Sequence, residues 1–151
     1  MLQINRLSLD EARVLIRGAA RRARTIGVPM CIAISDESGN LIAFERMDGA
    51  KILSVTLAND KAMTAAISKR GTHEYNEAST PGNLTFGIYT SLGGRFCIVG
   101  GGRPVIVRGQ VIGGIGVSGG APEQDMDVAQ AGLDHFLKSL KQKKLGKKRE
   151  K

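Results

Sequence analysis

Tryptophan is absent from the 151 residues, and the aromatic complement stops at two tyrosines and four phenylalanines. Recognition of nucleic acid by base stacking therefore has little to work with. Cysteine is scarce too. Cys31 and Cys97 stand far apart with no CxxC pattern, each inside an apolar run (Met30-Cys31-Ile32 and Phe96-Cys97-Ile98). A thiol in such a run behaves as a small hydrophobe, so both are expected buried and reduced. No stretch approaches the ~18 apolar residues of a membrane span. The opening MLQINRLSLDEARV has early acids and no apolar core, so no signal peptide is expected. These features predict a soluble, cytoplasmic chain with no membrane partner.

Acids are also in short supply, 14 against 22 Lys and Arg, for a formal charge of +8. Residues 138–151 hold eight Lys or Arg and one Glu, which leaves the body nearly neutral. The high isoelectric point, about 9.9, thus describes a tail rather than a basic face. A basic DNA-binding fold is excluded, and no specific nucleic-acid partner is expected. The length suits one domain, 1–140, followed by a basic flexible tail, 141–151.

The elements follow from local chemistry. Ser8 to Glu11 forms a capping box, and Leu9, Ala12, Leu15, Ile16, Ala19, Ala23 and Ile26 recur at helical spacing up to a stop at Gly27. Met30 to Ser35 reads as a strand buried on both faces. Asp36 to Asn40 is turn chemistry, and Leu41 to Arg46 is the return strand. A second helix runs from about Leu53 to Lys69, with a stripe of Val55, Ala58, Ala62 and Ala65 that invites close approach of a neighbouring backbone. Residues 71–90 read as a long, functional loop with a short helical piece. Eleven of the 20 glycines fall in residues 93–120. Between them lie three expected strands, Arg95 to Val99, Pro104 to Val107 and Val111 to Val117, the last two joined by the tight turn Arg108-Gly109-Gln110. A third helix starts at Pro122, with Met126, Ala129, Leu133, Phe136 and Leu140 as its buried stripe. The order favours an α+β fold: a single antiparallel sheet packed against helices.

Several motifs carry candidate chemistry. Gly114 to Gly119 matches G-x-G-x-x-G, but its first glycines lie within a strand and no later strand completes a βαβ unit, so it is not a dinucleotide site. Glycines within a strand mark close backbone approach. Gly100-Gly101-Gly102-Arg103 is either a wide hairpin link or a backbone wall of a pocket whose amides meet an anion. Ser118-Gly119-Gly120 before Pro122 offers free amides at a helix start, although Glu123 and Asp125 are anions that can fill it. Lys61 and Asp125 both edge buried helix faces, so a pair between them is either structural glue or a polar pocket floor. His73 lies in the long loop, where it is either a solvated loop residue or the candidate metal or haem-iron ligand. His135 reads as exposed.

Taken together, Asp36-x-x-Gly39-Asn40-Leu41, Lys61-Ala62-x-x-Ala65, Gly100-Gly101-Gly102-x-Pro104-Val105, the run Gly109 to Gly119 and Gln124-Asp125 resemble the GlcG/HbpS-like family. That family includes extracellular haem-binding proteins, the glycolate-operon protein and the C-terminal domain of the PduO cobalamin adenosyltransferase. The resemblance covers about residues 6–137, and its most specific part is Gly109 to Asp125. It implies a profilin-like α+β fold and self-association into dimers or larger rings. It also implies haem or corrinoid-type ligands for some members, under a haem-degrading label. The resulting expectation is a homo-oligomer that binds a small anionic ligand, haem as the family-based cofactor. Its pocket would be lined by Gly100, Gly101, Gly102, Arg103, Ser118, Gly119 and Gly120. Arg95 and Arg103 would take the carboxylates. The alternative is an enzyme or accessory subunit acting on a small hydroxy-acid or carboxylate, with Lys61 and Asp125 as the acid/base pair.

Overall fold

The first helix begins where the capping box places it. In the computed structural model, which describes residues 1–149, Ser8 accepts from the Glu11 amide and the Glu11 carboxylate accepts from the Ser8 amide. Helix α1 (Leu9–Ile26) ends on Gly27 in the left-handed conformation, as the sequence predicts. Strand β1 (Cys31–Asp36) turns through Asp36, whose Oδ1 accepts from the amides of Ser38 and Asn40, both at 2.9 Å. That self-satisfied turn delivers β2 (Leu41–Arg46). Helix α2 covers Leu53–Ser68, and a short helix α3 covers Glu74–Ala78. A 3-10 turn at Ile88–Thr90 leads into a tight turn, α4 (Ser91–Gly94), in which Leu92 and Gly93 take left-handed backbone angles. Strands β3 (Gly102–Val107) and β4 (Gln110–Ser118) and the long α5 (Pro122–Arg149) complete the chain. The α5 backbone continues past Leu140, where the apolar pattern stops; the expected tail reaches to residues 150 and 151, which lie outside the described residues.

Among the described residues, four strands pair antiparallel in the order β2-β1-β4-β3. The α+β expectation of one antiparallel sheet against helices holds. Helices cover both faces of the sheet. Ile32, Ile34, Ile115 and Val117 point into the core shared with α1 and α5, while Cys31 and Ala33 face Ala58 and Ala62 of α2. Both cysteines are buried and free. On the α2 face, β4 presents Gly114 and Gly116. A Cβ on Gly116 would run into the Ala58 carbonyl and the Ala62 amide, both backbone that cannot yield. The alanine stripe and the strand glycines are therefore two halves of one close contact.

Two expectations are corrected. Arg95 to Val99 is not a strand, because β3 is the edge of the sheet and nothing pairs beyond it. The polar groups of this segment are served locally instead: Phe96 donates to the Ser91 carbonyl and Cys97 to Thr64 Oγ1. The Phe96 ring packs edge-on against Tyr75. His135 is not exposed but half-buried at the α1–α5 crossing, where Gly18 leaves room for its side chain. No helix among the described residues is long and apolar enough to cross a membrane.

Candidate functional site

Lys61 and Asp125 meet, and they do so in the interior. Lys61 projects from α2 and Asp125 from the first turn of α5, at 1% and 3% exposure. Nζ donates to Asp125 Oδ2 at 2.8 Å and to the Val117 carbonyl at 2.9 Å. Asp125 Oδ1 accepts from the Gly120 amide at 2.9 Å. Burial pushes the Asp125 carboxyl above its ordinary range, opposed by the Lys61 ammonium beside it. The pair thus ties α2, the end of β4 and the start of α5 together. Gly101 seals it from above: with φ at 125°, it leaves no space for a Cβ, which would lie 2.9 Å from Nζ.

The glycine clusters are packed against the chain itself. Gly100 lies against Met126, and Gly102 against Thr72 and the Lys61 carbonyl. The Gly102 amide donates to Thr72 Oγ1 at 2.9 Å. Ser118 is buried, with its hydroxyl on that of Ser54, and Gly119 sits on the Pro29 carbonyl. At the start of α5, Asp125 takes the Gly120 amide and the Gln124 side chain takes the Ala121 amide, 2.9 Å each. The chain's own side chains thus occupy the Gly102 amide and those of Gly120 and Ala121 at the helix start, where the sequence offered an anion a place.

The two arginines part company. Arg95 Nε donates to Asp60 Oδ1 at 2.8 Å, with the Arg95 side chain 55% exposed and that of Asp60 10%. This pair lies in an open cleft of about 440 Å³ that includes Asn40, Val55 and Asn59. Arg103 instead pairs with Ile115 across the ladder, and so points to the sheet face that carries α1 and α5.

Among the described residues, two buried side-chain polar atoms lack a hydrogen-bond partner: His73 Nδ1 and Arg103 Nε. They belong to adjoining segments. The Thr72 amide donates to the Gly102 carbonyl at 3.0 Å, and Thr72 Oγ1 donates to the Val99 carbonyl at 2.6 Å. His73 follows Thr72 and Arg103 follows Gly102, so this link anchors both at the β3 edge. The His73 ring lies over Gly71, and a Cβ on Gly100 would stand 3.5 Å from His73 Cβ and 2.7 Å from the Met126 sulfur. Sequence reasoning missed two residues here. Thr72 carries no motif, and Met126 falls on the helical stripe that assigned it to the core, yet it is half-buried beside Gly100. Among the described residues, no three His, Cys, Asp or Glu side chains converge on a metal-binding point.

Comparisons with known proteins agree with this architecture. A 15.0 kDa protein encoded between dhaT and dhaS in Citrobacter freundii is 39% identical over 134 residues, 89% of this chain and 94% of that one. The corrinoid adenosyltransferase PduO of the same organism is 39% identical over 127 residues, which span 84% of this chain but 38% of PduO. Among solved structures, Klebsiella pneumoniae ORFY superposes with a TM-score of 0.88 at 38% identity, covering 90% of this chain and 94% of that one. A PduOC–haem complex superposes at 0.83 and 38% identity, covering 86% and 94%. The family model described as haem degrading protein HbpS-like matches residues 7–134, nearly all of the sheet and the helices that flank it; this chain belongs to that HbpS-like family.

Proposed function

We propose that the protein binds haem, or a similar anionic tetrapyrrole, at the β3 edge of the sheet, and that it does so as a homo-oligomer. The carrying observation is the pair of orphaned polar atoms, His73 Nδ1 and Arg103 Nε. A buried donor or acceptor without a partner costs about 1–3 kcal/mol; a carboxylate on Arg103 Nε recovers that cost at the arginine, while His73 Nδ1 marks a ring that no hydrogen bond within the chain holds. The chemistry fits: imidazole is a common haem-iron donor, and a guanidinium matches a propionate with two parallel hydrogen bonds. With Nδ1 turned inward, Nε2 is the nitrogen that His73 offers outward. The Met126 thioether beside Gly100 adds a soft donor to the same edge. When bound, haem would supply iron redox and ligand-binding chemistry; the chain's own residues would seat it. The relative PduOC has been seen with haem, which supports this reading.

An oligomer is supported by the arm between α3 and β3. Leu84, Phe86 and Leu92 are all exposed there, and residues 81–95 contain no buried position. Light scattering at micromolar concentration should show a mass well above 16.1 kDa. A monomer alone would remove the oligomer from the proposal. Haem binding is tested by absorbance: titration should give a saturable Soret band, and His73→Ala should shift it. A spectrum identical in wild type and His73→Ala would remove His73 as a ligand.

A further inference from the structure

We propose that the crossing of α1 and α5 forms a second anion site, for the phosphoryl groups of a phosphate ester or diphosphate. It is built by Arg17, Arg21, Arg22 and Lys138 around His135, and it is independent of the haem reading. The sequence of α1 places Arg17 and Arg21 four residues apart, so they share one face of the helix, and both are exposed. Across from them, α5 lies unusually close. A Cβ on Gly18 would stand 2.5 Å from His135 Cβ, so the missing side chain is what lets His135 settle against α1. A cleft of about 240 Å³ opens there, bordered by Gly18, Arg21, Arg22, Thr25, Ala131 and His135. That is below the roughly 300–1,000 Å³ of sites for drug-sized ligands. It suits one or two phosphoryl groups rather than a tetrapyrrole.

The charges around the cleft do not cancel. Arg22 Nε is held by Asp127 Oδ2 at 2.7 Å, which fixes its position at the rim. Among the described residues no ion pair closes on Arg17, Arg21 or Lys138. The neighbouring carboxylates on α5 are Asp127 and Asp134, and Asp134 Oδ1 accepts from Gln130 Nε2 at 2.9 Å. Four cations thus stand against two acids. Guanidinium forks suit phosphoryl oxygens; all three arginines come from α1, and Lys138 adds an ammonium from α5. His135 records the excess. Its burial, then Arg21, Arg17 and Lys138, lower its pKa. A bound anion offsets the three cations, so it must raise that pKa.

The test is proton NMR of the His135 ring, assigned with His135→Gln and titrated with pH at fixed ionic strength, with and without inorganic pyrophosphate. Pyrophosphate should raise the His135 pKa by about one unit, saturably, while the His73 signal stays in place. Arg17→Gln and Arg21→Gln should each weaken the effect about tenfold or more, the size of one charge-assisted contact. Both arginines are exposed, and unchanged melting temperatures will confirm that the variants fold. Phosphatidic acid vesicles against phosphatidylcholine vesicles identify the source. An equal His135 response to phosphatidic acid places the phosphoryl group on a lipid, and a response to pyrophosphate alone places it on a soluble molecule. No saturable shift with either, or the same shift in the Arg17→Gln/Arg21→Gln double variant, overturns the site.

Discussion

Replacing Lys61 by Met keeps the bulk of the side chain and removes its ammonium. In the folded protein that ammonium contacts Asp125 Oδ2 at 2.8 Å and the Val117 carbonyl at 2.9 Å, inside a core where both charged residues are almost wholly excluded from water. The variant leaves Asp125 with the Gly120 amide but without its counter-charge, and it leaves one lone pair of Val117 unserved. Removing one member of a buried ion pair costs about 3–5 kcal/mol. At about 2–4 °C per kcal/mol for a chain of this size, the melting temperature should fall by roughly 6–20 °C. The pH dependence has a definite sign. Burial already holds the Asp125 carboxyl above its ordinary range, and losing Lys61 raises it further. The folded variant then binds a proton that the unfolded chain has released. Its stability therefore falls as pH rises from the ordinary carboxylate value through the raised folded value, and it levels off above that. The deficit should be smallest in acid and full where Asp125 is ionised. Lys61→Met combined with Asp125→Leu should recover most of the loss, since an apolar pair replaces a charged one at little net cost. Urea denaturation across a pH series, at one protein concentration, measures all of this. A loss below about 1 kcal/mol in the single variant, or one independent of pH, refutes the reading of this pair as a buried lock.

Two further outcomes follow from the packing. Gly116→Val should destabilise by at least the upper end of the ~1–3 kcal/mol typical of overpacking, because the added Cβ meets the Ala58 carbonyl and the Ala62 amide; denaturant midpoints check it. Burial pushes both the Cys31 and Cys97 thiols up, so neither should react with iodoacetamide at pH 8 in the folded protein, while both should react in urea; mass spectrometry counts the adducts.

Local chemistry made much of the fold legible. The Ser8 capping box, the Gly27 stop and the Asp36 turn each satisfy their own backbone groups, and Arg108 and Gly109 both take the positive φ of a tight hairpin, so a few residues suffice to specify each. Gly116 was legible as a place of close approach, and the alanine stripe as a surface that permits one; only the folded sheet shows that each is the other's partner. Lys61 and Asp125 were legible as a pair from their positions on two buried helix edges. Their other partners, the Val117 carbonyl and the Gly120 amide, are backbone groups with no sequence signature. The apolar run Phe96-Cys97-Ile98 looks like a strand because burial alone produces such a run. Its polar groups instead find Ser91 and Thr64. The exposed reading of His135 failed for a non-local reason, the absence of a side chain at Gly18 on another helix. At the candidate site, His73 and Arg103 were each visible as residue types. What joins them is Thr72, a threonine with no motif to mark it.

The central claim, that haem is held at the β3 edge, turns on Arg103. The most direct measurement is the equilibrium affinity for haem of wild type, Arg103→Ala and Arg103→Lys, from Soret titrations of protein whose fold is confirmed by circular dichroism. Loss of a charge-assisted contact of about 1.5–3 kcal/mol predicts roughly ten- to a hundredfold weaker binding for Arg103→Ala. Arg103→Lys should recover part of it, since an ammonium lacks the planar two-donor fork. Wild-type affinity in Arg103→Ala, or no saturable haem binding by the wild type, contradicts the account.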